Sequence, residues 1–216
     1  MAYKIIFIDE ENSQHELFQT YIEESDRQLE VKCLFPKSSL EEMLETIVEE
    51  TPDAIVSDYL LNDIKEDIDY NIPYTGVELV KQFQQERPNF PCFIITSFDN
   101  EAVAETNDVN LVYIKALLTN GETNTKARFY DKIFEQIAKY KILLNNVQDE
   151  INILIEKRRL GTSTLDEDQR LIELDDFLEK SLHNSDRVPS DMKKIENIEN
   201  LALVIEKLDE ILGKLE

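Results

Sequence analysis

Four short apolar runs punctuate the first half of the chain, and each ends in a polar group. Lys4-Ile5-Ile6-Phe7-Ile8 meets Asp9-Glu10-Glu11, and Asp53-Ala54-Ile55-Val56-Ser57 meets Asp58. Pro91-Cys92-Phe93-Ile94-Ile95 meets Thr96-Ser97, and Leu111-Val112-Tyr113-Ile114 meets Lys115. Runs this short, apolar at successive positions, predict strands buried between helices. Leu29 to Leu34 supplies another strand. Between them the spacing turns helical. Residues 12–25 place Leu17, Tyr21, Phe18 and Ile22 on one face. Residues 38–50 are capped by serine, carry Glu41 and Glu42 in the first turn, turn Leu40, Met43, Leu44 and Ile47 inward, and end before Pro52. Strands alternating with helices imply a parallel sheet with right-handed crossovers. In such a sheet the strand ends converge on one carboxyl edge, where open α/β folds place their chemistry. Asp9, Glu10, Asp58, Thr96 and Lys115 are therefore expected to meet.

Past Lys115 the pattern changes. Asn120-Gly121-Glu122-Thr123-Asn124-Thr125 is a turn cluster, after which Ile133, Ile137, Tyr140, Leu144, Val147, Ile151 and Leu154 repeat at alternating spacings of four and three. That seam predicts one long helix over about 126–159, stopped by Gly161. Thr164 with Glu167 reads as a capping box opening a helix over about 164–183, whose seam is Leu171, Leu174, Leu178 and Leu182. Pro189 breaks it, and Ser190 opens a last helix over about 190–215, with Ile198, Leu201, Ile205, Leu208, Leu212 and Leu215 in register. Three amphipathic helices joined by short turns predict a helical hairpin or bundle.

The set at the carboxyl edge resembles the receiver domain of two-component response regulators, over about residues 1–130. Lys4 to Glu11 looks like the family's opening acid pair, Asp58 its phosphoacceptor aspartate, Thr96 its switch hydroxyl and Lys115 its lysine. Pro73-Tyr74-Thr75-Gly76-Val77-Glu78-Leu79 looks like its proline-to-glycine passage into the third helix. The resemblance implies a doubly wound, five-stranded parallel sheet in the order 2-1-3-4-5, here as a domain over 1–125 followed by a helical extension over 126–216. It implies Mg²⁺ held by Glu10, Asp58 and the backbone carbonyl of Leu60, with Asp9 acting through water. Lys115 and Thr96 would bind phosphoryl oxygens, and Asp58 would be the nucleophile. The function implied is phosphorylation of Asp58 by a histidine kinase or phosphotransfer protein, with output to a downstream protein through the helical extension. Homodimerisation is a further possibility. No catalysis beyond self-phosphorylation is expected, because the helical half shows no glycine-rich phosphate loop, nucleophile elbow or metal-ligand spacing. A pseudo-receiver that scaffolds or dimerises without phosphotransfer is the alternative.

Three departures from the family pattern bear on the site. Asp58 to Gly76 is longer than the usual passage by about ten residues, and the extra segment, 62–72, carries Asp63, Glu66, Asp67 and Asp69. A loop of that length either gates the acceptor or is a tolerated, solvated insertion. Ala116 stands where the family has proline after its lysine, and a cis bond without proline would cost about 3 kcal/mol, so the Lys115 loop should be built differently. The position of the family's switch aromatic is Val112, with Tyr113 one residue later.

The formal charge of −23 and pI near 4.4 disfavour nucleic acid, whose binding depends on Lys and Arg to release counterions. The stretch 130–216 is itself acidic, with 20 acidic against 13 basic residues. No apolar run approaches the ~20 residues of a membrane span, so a cytoplasmic protein is expected. Cys33 and Cys92 read as buried thiols. His15 is expected on the exposed side of its helix. His183, at a helix end without a following lysine and glycine, does not fit a phosphotransfer histidine.

Overall fold

The computed structural model describes residues 2–63, 66–97, 104–105, 109–119 and 128–182. The turn cluster at 120–125, the helix expected over 190–215 and His183 lie outside these described residues.

The strands are β1 (Tyr3–Ile8), β2 (Leu29–Leu34), β3 (Ala54–Asp58), β4 (Cys92–Thr96) and β5 (Val112–Ile114). They form one parallel sheet in the order β2-β1-β3-β4-β5. Helices α1 (Asn12–Glu23), α2 (Leu40–Glu49) and α3 (Gly76–Glu86) supply crossovers, and α4 (Phe129–Arg159) and α5 (Leu165–Leu182) follow the sheet. This is the expected receiver-like α/β fold with a helical extension. Every residue of β3 and β4 is buried, which is why their sequences are continuous apolar runs and not alternating ones. Ile5, Phe7, Ala54, Val56, Phe93 and Ile95 share one core with Phe18, Tyr21 and Ile22 of α1 and Phe129, Ile133 and Ile137 of α4. The intervening Ile6, Ile8, Ile55 and Ile94 are buried in the opposite phase, and α3 packs on β3 and β4.

Helix boundaries follow local chemistry. Ser39 caps α2 by accepting from the Glu42 N–H at 3.1 Å. Thr75 and Glu78 form a capping box at the start of α3, as Thr164 and Glu167 do before α5. The end of α4 is a Schellman motif: Gly161 lies in the left-handed region at φ 68°, and Thr162 and Gly161 donate to the Lys157 and Arg158 carbonyls at 3.0 Å each.

The chain divides into two compact units, Met1–Lys141 and Ile142–Glu216. Within the second, Val147, Ile151 and Leu154 of α4 bury against Leu174 of α5, flanked by Leu143, Leu171, Phe177 and Leu178. Arg170 forks onto Glu150 at 2.9 and 3.3 Å across the two helices. None of the described helices is long and apolar enough to cross a membrane.

Candidate functional site

Sheet register sets the site. Asp58 is the last residue of β3 and pairs with Ile95, one residue before Thr96, while Thr96 pairs with Ile114, one residue before Lys115. β1 ends beside β3, with Ile8 opposite Ser57, and delivers Asp9 and Glu10 to the same edge. Asp9, Glu10, Asp58 and Thr96 are all buried, at 0, 2, 5 and 1% exposure. Asp9, Glu10 and Asp58 each offer a carboxylate oxygen within 4.8 Å of the others. Lys115 Nζ reaches Asp9 Oδ2 at 2.9 Å and Asp58 Oδ1 at 3.0 Å. Three buried carboxylates thus cluster where Lys115 pairs with two of them.

The electrostatics follow from that imbalance. Burial, reinforced by Asp9 and Glu10 and opposed by Lys115, pushes Asp58 from its ordinary 3.8 up to about 7. Burial acts to lower the Lys115 ammonium, but the charges of Asp58 and Asp9 outweigh it and hold that ammonium above its ordinary value. Both oxygens of Asp9 are engaged: Oδ1 accepts from the Glu11 N–H at 3.0 Å and Oδ2 from Lys115. Hard oxygen donors in this number suit Mg²⁺, which takes one or two carboxylates and keeps several waters.

The backbone after Asp58 is pinned. Tyr59 donates its N–H to Ile95 at 3.0 Å and accepts from the Gly76 N–H at 2.8 Å. Gly76 is required by closeness: a Cβ there would lie 1.9 Å from the Asp58 carbonyl oxygen and 2.7 Å from Ser57 Oγ. Leu60 follows half-buried and shares a cavity wall with Asn62, Ile72 and Tyr74. Lys115 opens a 3₁₀ turn, Lys115–Leu118, with no cis bond. Tyr113 packs on Phe129 and Phe93 at 4.6 and 6.0 Å, on the core face with α1 and α4. Val112 and Ile114 take the other face, where Ile114 is 47% exposed.

His15 is buried, not exposed as its sequence position suggested. Its Nε2 lies 3.0 Å from the Asp9 carbonyl, and its ring sits against Phe7 and Phe35 at 5.8 and 4.7 Å. Desolvation lowers its pKa, and Nε2–H donates to the Asp9 carbonyl. The signal was present: His15, Phe18 and Ile22 fall at i, i+3 and i+7 on one helix face. Of the cysteines, Cys92 is buried and Cys33 half-buried, both as free thiols.

No family model matches the chain, and no curated protein matches it. Among solved structures it is similar to the anti-anti-sigma factor PhyR from Bartonella quintana, at 15% identity and a TM-score of 0.45 over 68% of this chain and 51% of that one. The chain therefore spans about half of PhyR. It is similar to a putative response regulator from Chloroflexus aurantiacus at 20% identity and a TM-score of 0.38, over 54% of this chain and 87% of that one. A structure of the two-component response regulator RcsB bound to DNA aligns at 12% identity and a TM-score of 0.41, over 87% of this chain and 95% of that one.

Proposed function

We propose that the chain is a phosphoacceptor response regulator: Asp58 receives a phosphoryl group from a histidine kinase or phosphotransfer protein, and the helical extension carries the output to a protein partner. The observation that supports this most is the buried Asp58 carboxylate, 3.0 Å from Lys115 and within 4.8 Å of the Asp9 and Glu10 oxygens. Charge matching of this kind is most of what phosphoryl transfer asks of a protein.

A carboxylate oxygen of Asp58 attacks phosphorus; the new O–P bond replaces the P–N bond of a phosphohistidine, and the released imidazole is protonated from solvent. The nucleophile has to be ionised, and with burial pushing Asp58 to about 7 the lysine alone leaves it partly protonated at neutral pH. Mg²⁺, when bound, would supply the missing positive charge and neutralise the transferring group. Glu10, Asp58 and the Leu60 carbonyl are its proposed holders, with Asp9, both oxygens occupied, acting through water. Lys115 binds one phosphoryl oxygen as a point charge, and Thr96 donates to another. No activity beyond this self-phosphorylation is proposed.

We place the receiver portion at 1–125 and the output portion at 126–216, which opens with α4. A protein partner suits that output region better than DNA, which the RcsB structure holds, because 130–216 carries 20 acidic against 13 basic residues. The test is intact mass after incubation with acetyl phosphate and Mg²⁺, in wild type and Asp58→Asn. One added phosphoryl group in wild type and none in the variant is expected. Equal gain in both would move the acceptor elsewhere, and no gain in either would favour a scaffold without phosphotransfer.

A further inference from the structure

Residues 66–74, in the segment inserted between Asp58 and Gly76, form a folded strap. From Ile68 to Tyr74 its side chains alternate: Ile68, Ile72 and Tyr74 are buried and Tyr70 half-buried, while Asp69, Asn71 and Pro73 face solvent. Tyr70 donates to the Pro36 carbonyl at 2.7 Å and Tyr74 to that of Lys37 at 2.8 Å, tying the strap to the β2–α2 connection. Asn62 closes its base, accepting from the Ile72 N–H at 2.9 Å and donating to Asn71 at 3.1 Å.

Its remaining anchor is at α1. Glu11, the N-cap residue of that helix, makes no side-chain capping bond, and the first turn carries no acid. The cap comes from the strap: Asp67 Oδ2 accepts from the Asn12 N–H at 2.9 Å. A helix start left without a cap frays, because its first N–H groups have no intrahelical partner. Asn12 directly follows Asp9-Glu10-Glu11, so whatever fixes Asn12 fixes the frame on which Glu10 is presented. Asp67 itself is exposed and stands outside the carboxylate cluster.

We propose that Asp67 is a positioning residue for the acid pocket: by capping α1 from the inserted strap it locks the turn Asp9-Glu10-Glu11 against Asp58, so that strap docking and divalent-cation binding reinforce each other. This rests on the metal reading above. By reciprocity, a cation that binds the locked turn more tightly must also hold the strap down. Neither a gate nor a slack insertion describes such a segment; it works as a brace.

The experiment is calorimetric titration of the full chain with Mg²⁺ in wild type, Asp67→Ala and Asp67→Asn, paired with amide hydrogen exchange in the metal-free and Mg²⁺-bound states. Asparagine caps a helix as well as aspartate but carries no charge, so the pair separates capping from a long-range charge effect. Asp67→Ala is expected to weaken Mg²⁺ about tenfold, the scale of losing an outer-shell partner. Its Asn12 and Ser13 amides should also exchange faster without metal. Asp67→Asn should stay within about twofold of wild type, and Mg²⁺ should slow exchange at Asn12 and Ile72 in wild type. Equal weakening in both variants, or none in either, overturns the positioning role while leaving the metal site standing. A wild type that takes up no Mg²⁺ overturns the metal reading itself, and this inference with it.

Discussion

The two edges of the sheet handle charge in opposite ways. Around the amino edge Lys4 and Lys32 pair with Glu50 at 2.7 and 2.5 Å, and Lys141 with Asp53 at 2.7 Å, all in partly exposed positions. Asp53 also accepts from the Lys4 N–H at 2.8 Å. Charge there is matched and wet. At the carboxyl edge three carboxylates no more than 5% exposed cluster together, and Lys115 pairs with two of them, Asp9 and Asp58. Glu50 is held below its ordinary 4.5 by Lys32 and Lys4, so its contribution to stability is present above that value and is lost as pH falls. Asp58, pushed from 3.8 to about 7 by burial and its acidic neighbours, contributes stability that is present below 3.8 and is lost as pH rises through about 7. One edge is built to be stable at neutral pH; the other gives up stability there.

The largest effect expected from breaking this contrast is at Gly76. A Cβ 1.9 Å from the Asp58 carbonyl has no room, so Gly76→Ala must shift α3 or β3, with an expected loss of about 3 kcal/mol in urea unfolding. Gly161→Ala is its control, because a Cβ there meets nothing within 4 Å. Only its left-handed backbone is penalised, by about 1 kcal/mol. Equal losses would mean that the close approach to Asp58 is not a constraint.

Next is Asp58→Asn in chelator. Removing a carboxylate that folding disfavours at neutral pH should raise the melting temperature at pH 8 by at least about 3 °C, and by much less at pH 5, where wild-type Asp58 is largely protonated. A variant that melts lower than wild type at pH 8 would contradict the sign. The smallest effect is expected at Glu50→Gln on the amino edge: a slight loss at neutral pH, erased in high salt because exposed pairs are screened. A salt-insensitive loss as large as that of Gly76→Ala would undo the contrast.

Much of the fold was legible because buried parallel strands have to be continuous apolar runs, and β1, β3 and β4 are. The place of Asp58 and Lys115 followed from strand ends alone. The strap was less legible: its acids stood out, whereas the signal of its folding was the alternation of Ile68, Tyr70, Ile72 and Tyr74, set in a segment read for charge. His15 carried a helical-face signal in its spacing with Phe18 and Ile22, but its residue type pulled against it. Histidine is ambivalent about burial, and its placement is decided by the Asp9 carbonyl it serves and the Phe7 and Phe35 rings around it. Asp67 as a cap for α1 had no sequence signal, since the bond spans 55 positions.

The cluster of Asp9, Glu10 and Asp58 beside Lys115 is expected to take up one divalent cation. The most direct measurement is melting temperature at pH 8 with and without excess Mg²⁺, in wild type and in a Glu10→Ala, Asp58→Ala double variant. At about 100 times its dissociation constant a single bound ion adds about 2.7 kcal/mol, so wild type should gain about 5 °C or more while the double variant gains almost nothing. An equal gain in both, or no gain in wild type, would show that the three carboxylates are not a metal pocket.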